Sequence, residues 1–86
     1  MKKSVVVGLE KGLEARPIAL LVQKANQFSS SVYLELDEKR INAKSIMGVM
    51  SLALMNGTTV VIDAEGADEA EAIAALEAFL TATDQK

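Results

Sequence analysis

A hydroxyl, two cations and a carboxylate are the groups in this chain whose placement suggests chemistry. Ser45 follows Asn42-Ala43-Lys44 and precedes Ile46-Met47-Gly48-Val49-Met50-Ser51-Leu52. A serine there caps a helix, because its oxygen accepts a hydrogen bond from an unpaired N–H of the first turn. The same N–H groups welcome a phosphate, and Lys44 adds a neighbouring positive charge. Ile46, Met47 and Met50 mix core character with adaptable contact character, since a flexible thioether packs against imperfect partners. Glu14 and Arg16 sit just ahead of a second helix, beside Pro17. A carboxylate in that first turn is favoured by about 0.3–1 kcal/mol, and an arginine can grip a phosphate or carboxylate with two parallel bonds. The plainer alternatives are a capped, buried helical turn for Ser45 and an ordinary first-turn acid for Glu14.

Composition removes many other chemistries. The 86 residues contain no cysteine and no histidine. That excludes disulfides, zinc sites of the N/S type, thiol nucleophiles, Ser-His-Asp triads and phosphoryl transfer through imidazole. Acidic pairs such as Asp37/Glu38, Glu65/Asp68 and Glu69/Glu71 fall in turns or on a polar helix face, where solvation explains them better than catalysis. The glycines form no phosphate loop. A net charge of −3 speaks against autonomous nucleic-acid binding, and two phenylalanines with one tyrosine offer no platform for stacked bases. Met1-Lys2-Lys3 leads into no signal-peptide h-region, and no apolar run reaches the ~20 residues that span a bilayer. The expectation is a cytoplasmic, non-enzymatic single domain over residues 1–86, without metal or cofactor.

Seven elements must position these groups. Ser4–Leu9 reads as a β-branched strand. Pro17 opens a helix from about Arg16 to Gln27, whose buried face is Ile18, Leu21, Val22 and Ala25, with Phe28 packing past its end. Val32, Leu34 and Leu36 alternate with polar neighbours in a second strand; Asp37-Glu38-Lys39 turns it into Arg40–Ala43. The Ser45 helix is expected to run to Asn56-Gly57, where glycine takes the left-handed cap. Thr58–Ala64 is the last strand, Val60 and Ile62 facing one way and Val61 the other. Asp68 and Glu71 have the offset of a capping box, opening a helix to about Thr81. The order β-α-β-β-α-β-α is most economically an antiparallel sheet with helices on one face and solvent on the other.

Two stretches together carry a resemblance. Gly12-Leu13-Glu14-Ala15-Arg16-Pro17 resembles the Gly-Ile/Leu-His-Ala-Arg-Pro motif of HPr, the phosphocarrier family of the bacterial sugar phosphotransferase system. Asn42 to Leu52 resembles the regulatory serine segment of the same family. The resemblance covers essentially the whole chain and implies an α+β fold, an open-faced β-sandwich whose four-stranded antiparallel sheet carries three helices on one side. It departs at one place, because Glu14 stands where the family has its phosphorylatable histidine. The catabolite-repression branch, Crh, also lacks that histidine, carrying glutamine, and keeps the serine. Resemblance to that branch implies that Ser45 is phosphorylated by HPr kinase/phosphorylase with ATP. The phosphoprotein would then act as corepressor with the LacI-type regulator catabolite control protein A. Arg16, Lys44, Ile46, Met47 and Met50 would form the phosphate- and partner-binding surface. Exchange of the first strand would give a homodimer. The alternative is a phosphotransferase component or decoy in which Glu14 accepts or mimics the phosphoryl group.

Overall fold

Strands that hide one face and helices that hide one stripe settle into two layers. The computed structural model describes residues 1–8, 15–52, 55 and 57–81. In chain order the elements are β1 (Lys2–Val6), α1 (Ala15–Asn26), β2 (Ser31–Leu36), β3 (Lys39–Asn42), α2 (Ile46–Met50), β4 (Thr59–Glu65) and α3 (Glu69–Thr81). The four strands form one sheet in the order β1-β4-β2-β3, with every neighbouring pair antiparallel. The expected order, sheet type and one-sided helical cover are all present.

Alternation decides which face is covered. Val32 and Leu34 of β2, Val60, Ile62 and Ala64 of β4, and Val5 of β1 point toward the helices and are buried. They meet Ile18, Leu21, Val22 and Ala25 of α1, Val49 of α2, and Ala72, Ile73, Leu76 and Leu80 of α3, with Phe28 packed alongside. The register stacks Leu34 between Ile62 and Ile41, at the centre of the sheet. Val61 faces the other way, as the alternation predicts.

That second face is polar and tied together by charge. Arg40 donates to Asp63 at 2.8 Å and to Glu35, and its guanidinium lies 4.2 Å from the centre of the Tyr33 ring. The hydrogen bond from Arg40 is the main cause that holds the Asp63 carboxyl below the usual carboxylate range, against the opposing effect of its burial.

Several element ends differ from expectation, β1 closing at Val6 where the expected end, Leu9, lies outside the described residues, and three of the differences show their physical reason. The first strand begins at Lys2 rather than Ser4, because Lys2 and Lys3 pair with Asp63 and Ile62 at the sheet edge. Lys3 then reaches Glu77 of α3 at 2.9 Å. The second helix stops at Met50, well short of Asn56-Gly57. Ser51 closes it, its hydroxyl donating to the Gly48 carbonyl at 2.6 Å while its N–H is shared between the Met47 and Gly48 carbonyls. Gly57 does adopt a left-handed conformation (φ 90°), but its N–H serves Val7 at 2.7 Å, in the approach to β4. The β2–β3 turn is Asp37-Glu38 alone, with Asp37 at φ 57° and Lys39 already paired with Leu36.

The expected Asp68/Glu71 capping box is replaced by a tertiary contact. The Asp68 carbonyl accepts the N–H of Ala72 and so opens α3, but its carboxylate turns outward. It accepts the N–H groups of Ser29 (2.9 Å) and Ser30 (3.0 Å) and the Ser30 hydroxyl. Glu69, not Glu71, reaches back to the chain, accepting from the Gly66 N–H at 3.2 Å. The bonds from Ser30 and Ser29 lower the Asp68 pKa from 3.8 to about 2. A folded-state value below the unfolded one means the ionised carboxylate stabilises the fold above pH 3.8. That contribution is lost as pH falls from 3.8 to about 2. Urea midpoints measured across this window should therefore fall more steeply for the wild type than for Asp68→Asn; parallel curves would contradict the assignment.

Candidate functional site

The segment carrying Ser45 is held by backbone geometry at both ends. Ala43 is fully buried and its N–H bonds the Val32 carbonyl at 2.9 Å, which fixes where the chain leaves the sheet. Asn42 then makes a side-chain turn: its Oδ1 accepts the Lys44 N–H at 2.8 Å, and its carbonyl accepts the Ser45 N–H at 3.1 Å. From α1, Asn26 donates through its amide to the Val22 carbonyl at 2.9 Å and the Lys44 carbonyl at 3.4 Å. Lys44 reaches the opposite way, its Nζ donating to the Phe28 carbonyl at 2.8 Å, beyond the C-terminus of α1. The loop before α2 is thereby fastened to the end of α1.

Ser45 is the N-cap of α2, as the sequence predicts. Its backbone is extended (φ −112°, ψ 118°) and its Oγ accepts the Gly48 N–H at 3.2 Å. The first helical bond follows, from the Val49 N–H to the Ser45 carbonyl at 3.0 Å. The residue is partly exposed, and its oxygen acts in the described bonds only as an acceptor. Helix geometry leaves the N–H groups of Ile46 and Met47 without intrahelical partners, which gives the position further donors for an anion.

Around that hydroxyl the surface is apolar. Val49 alone of α2 is buried; Ile46, Met47 and Met50 are all exposed, Met47 the most at 79%. Ile46 and Met50 are four residues apart and Met47 and Met50 three apart, so the three side chains share one side of the helix. α1 packs against α2 and carries Leu20, which is also exposed. Sequence reasoning did not single out Leu20. Its signal was present, because it stands off the stripe made by Ile18, Leu21, Val22 and Ala25. Asn42 was legible too, from the two-residue offset of its turn, whereas nothing local marked Asn26.

The structure brings Lys44, Ser45, Ile46, Met47 and Met50 together. Arg16 lies in the first turn of α1, the helix that packs on α2. Glu14 and the side chain of Arg16 lie outside the described residues. An open depression of about 370 Å³ is found elsewhere, between β1 and α3, lined among others by Lys3, Ile73 and Glu77, and it contains none of the sequence-predicted site residues. Among the described residues no group of acidic side chains is placed to hold a metal ion, and no helix is long and apolar enough to cross a membrane.

The fold is thus an open-faced α+β sandwich that displays a capping serine amid exposed apolar side chains. The chain belongs to the HPr family, its residues 1–82 matching the family described as the PTS HPr component phosphorylation site. It is 54% identical over 80 residues to the HPr-like protein Crh of Halalkalibacterium halodurans, a match that covers 93% of this chain and 95% of the relative. Crh of Bacillus subtilis is likewise 54% identical over 80 residues, covering 93% of this chain and 94% of that one. The crystal structure of the Bacillus anthracis phosphocarrier protein HPr superposes with a TM-score of 0.90 at 50% identity, covering 93% of this chain and 95% of that one. A crystal structure of Bacillus subtilis Crh, described as an intertwined dimer with a swapped domain, gives 0.78 at 52% identity, covering 95% of this chain and 94% of that one.

Proposed function

We propose that this protein is a Crh-like regulator of carbon catabolite repression, switched by phosphorylation of Ser45. HPr kinase/phosphorylase transfers the γ-phosphoryl group of ATP to Ser45 Oγ; the hydroxyl proton passes to a base of the kinase and ADP leaves. The phosphoprotein then docks on the LacI-type regulator catabolite control protein A as corepressor. The observation that carries this reading is the pairing of an accessible capping hydroxyl with the exposed Ile46, Met47 and Met50. Phosphorylation adds about −1.5 to −2 charge and three acceptor oxygens, which places a strong anion beside an apolar contact patch. Lys44, next to Ser45 in the chain, and Arg16, in the first turn of the helix that packs on α2, are the cations that the family resemblance assigns to phosphate and partner binding. Similarity to two Crh proteins supports the regulatory branch over a phosphocarrier. A phosphohistidine carrier is impossible for a chain with no histidine.

Binding to the purified repressor after kinase treatment tests the docking surface. Met47→Ala should weaken the phosphorylated protein about tenfold, a usual scale for truncating a central contact residue, and leave phosphorylation itself intact. Unchanged affinity would remove α2 from the interface. Glu14→Gln, which restores the residue found in Crh, should leave both steps as they are; a lost interaction would favour the alternative in which Glu14 accepts or mimics a phosphoryl group.

The assembly proposed for the Crh-like reading is a homodimer made by exchange of β1. Its edge position supports this, since β1 is hydrogen-bonded to β4 alone among the strands. Sedimentation equilibrium should show a concentration-dependent dimer.

A further inference from the structure

We propose that Met47 and Met50 form a reversible oxidation site on the folded protein, and that sulfoxide at these positions switches off docking. The inference rests on the regulatory reading above. All four methionines of the chain are exposed: Met1 (53%), Met47 (79%), Met50 (50%) and Met55 (66%). Methionine is ordinarily a core filler, where oxidation forces a polar group into packed surroundings. Here no thioether belongs to the buried core, so oxidation leaves the packing of Val49 and Leu52 untouched. The chain also has no cysteine to react first. Met47 and Met50, three residues apart, place two sulfurs on one side of α2, within five residues of Ser45 and on the surface assigned to the partner.

The oxidant is a peroxide. A sulfur lone pair attacks one peroxide oxygen and the O–O bond breaks. The leaving hydroxide takes the remaining proton and departs as water. The sulfur gives up two electrons to become a sulfoxide, and the peroxide gains them. A methionine sulfoxide reductase reverses the step, releasing the oxygen as water while its dithiol becomes a disulfide. The product puts a strong acceptor into a patch that this chain otherwise builds from apolar side chains, and an acceptor buried without a partner opposes binding. Phosphate writes a signal onto Ser45; a sulfoxide beside it would cancel the reading of that signal.

The experiment treats the intact protein with hydrogen peroxide and maps the sulfoxides by peptide mass spectrometry. Thermal unfolding is followed in the same samples, and part of each is then treated with methionine sulfoxide reductases. Met47 and Met50 should oxidise at rates within about threefold of free methionine, as their exposure dictates, with the unfolding midpoint unchanged and the thioethers restored by the enzymes. Protection of either residue, loss of the fold on oxidation, or failure of the enzymes on folded protein would overturn the site. The binding arm compares kinase-treated samples on the repressor. Oxidation should weaken the wild type about tenfold or more and leave Met47→Leu/Met50→Leu unaffected, since leucine keeps the volume without the sulfur. Equal loss in the double variant, which still carries Met1 and Met55, would overturn the switch. Failure of unoxidised phosphoprotein to bind would sink the regulatory reading and the switch with it, and the peptide map would still decide whether the site exists.

Discussion

Gly66→Ala is expected to lower the unfolding midpoint by more than about 10 °C, the shift that a loss of about 3 kcal/mol produces in a domain this small. Gly66 sits at φ 151°, where L side chains rarely go. A Cβ there would stand 2.5 Å from Ser30 Oγ and 2.7 Å from Ser30 Cα, so something must move. Ser30 cannot move cheaply. It is 1% exposed, and its N–H and hydroxyl both bond the Asp68 carboxylate. Ser31 next to it begins β2, paired with Glu65 of β4. Shifting Ser30 therefore loosens the junction between β4, β2 and α3 together. Backbone strain and overpacking each cost about 1–3 kcal/mol. Gly57→Ala supplies the control, because Gly57 also has a positive φ (90°) but nothing within 4 Å of its added Cβ. That variant should lose only the strain, about 1–2 kcal/mol. Equal midpoints for the two variants would contradict the steric account.

Ser45→Ala should abolish phosphorylation-dependent binding completely while costing the fold little. The alanine removes the oxygen that receives the Gly48 N–H, a cap worth about 1 kcal/mol. In a protein of this size that is about 4–8 °C in unfolding midpoint, well short of unfolding at ambient temperature. The Asn42 turn and the Asn26 bonds, which set the path of the loop, do not involve the serine side chain. The patch of Ile46, Met47 and Met50 should persist, leaving loss of the phosphate as the explanation for lost binding. Ser45→Asp keeps a capping oxygen but carries one charge where phosphoserine carries about −1.5 to −2. It should restore the midpoint and only part of the affinity. Circular dichroism and repressor binding, run on the same three proteins, separate the two effects. Full binding by kinase-treated Ser45→Ala would contradict the proposed switch.

Much of this architecture could be read from residue spacing, and most of its misses trace to bonds between residues far apart in the chain. The stripe Ile18, Leu21, Val22, Ala25 and the alternation around Leu34 and Ile62 reflect burial, and burial imposes period. Ser45 was legible as a cap for a related reason, since capping depends on residues three apart. Long-range bonds leave no such trace. Lys2 and Lys3 look like a polar leader until Asp63 and Glu77 come beside them. Asp68 looks like the start of a capping box until Ser29 and Ser30, nearly forty residues earlier, take its carboxylate. α2 ends at Met50 because the side chain of Ser51 folds back onto Gly48, a choice made by one hydroxyl and not by any pattern. At the site, the serine and its apolar neighbours announce themselves in a single stretch. The fastening of that stretch through Asn26 and the Lys44–Phe28 bond depends on how α1 lies against it.

The most direct test is to incubate the protein with HPr kinase/phosphorylase and ATP and to locate any added phosphate by mass spectrometry. Crh from Bacillus subtilis, run in parallel, would show that the kinase is active. One phosphate, on Ser45, is the predicted result. An unmodified protein beside a phosphorylated control, or a phosphate on another residue, would contradict the account and reduce Ser45 to a helix cap.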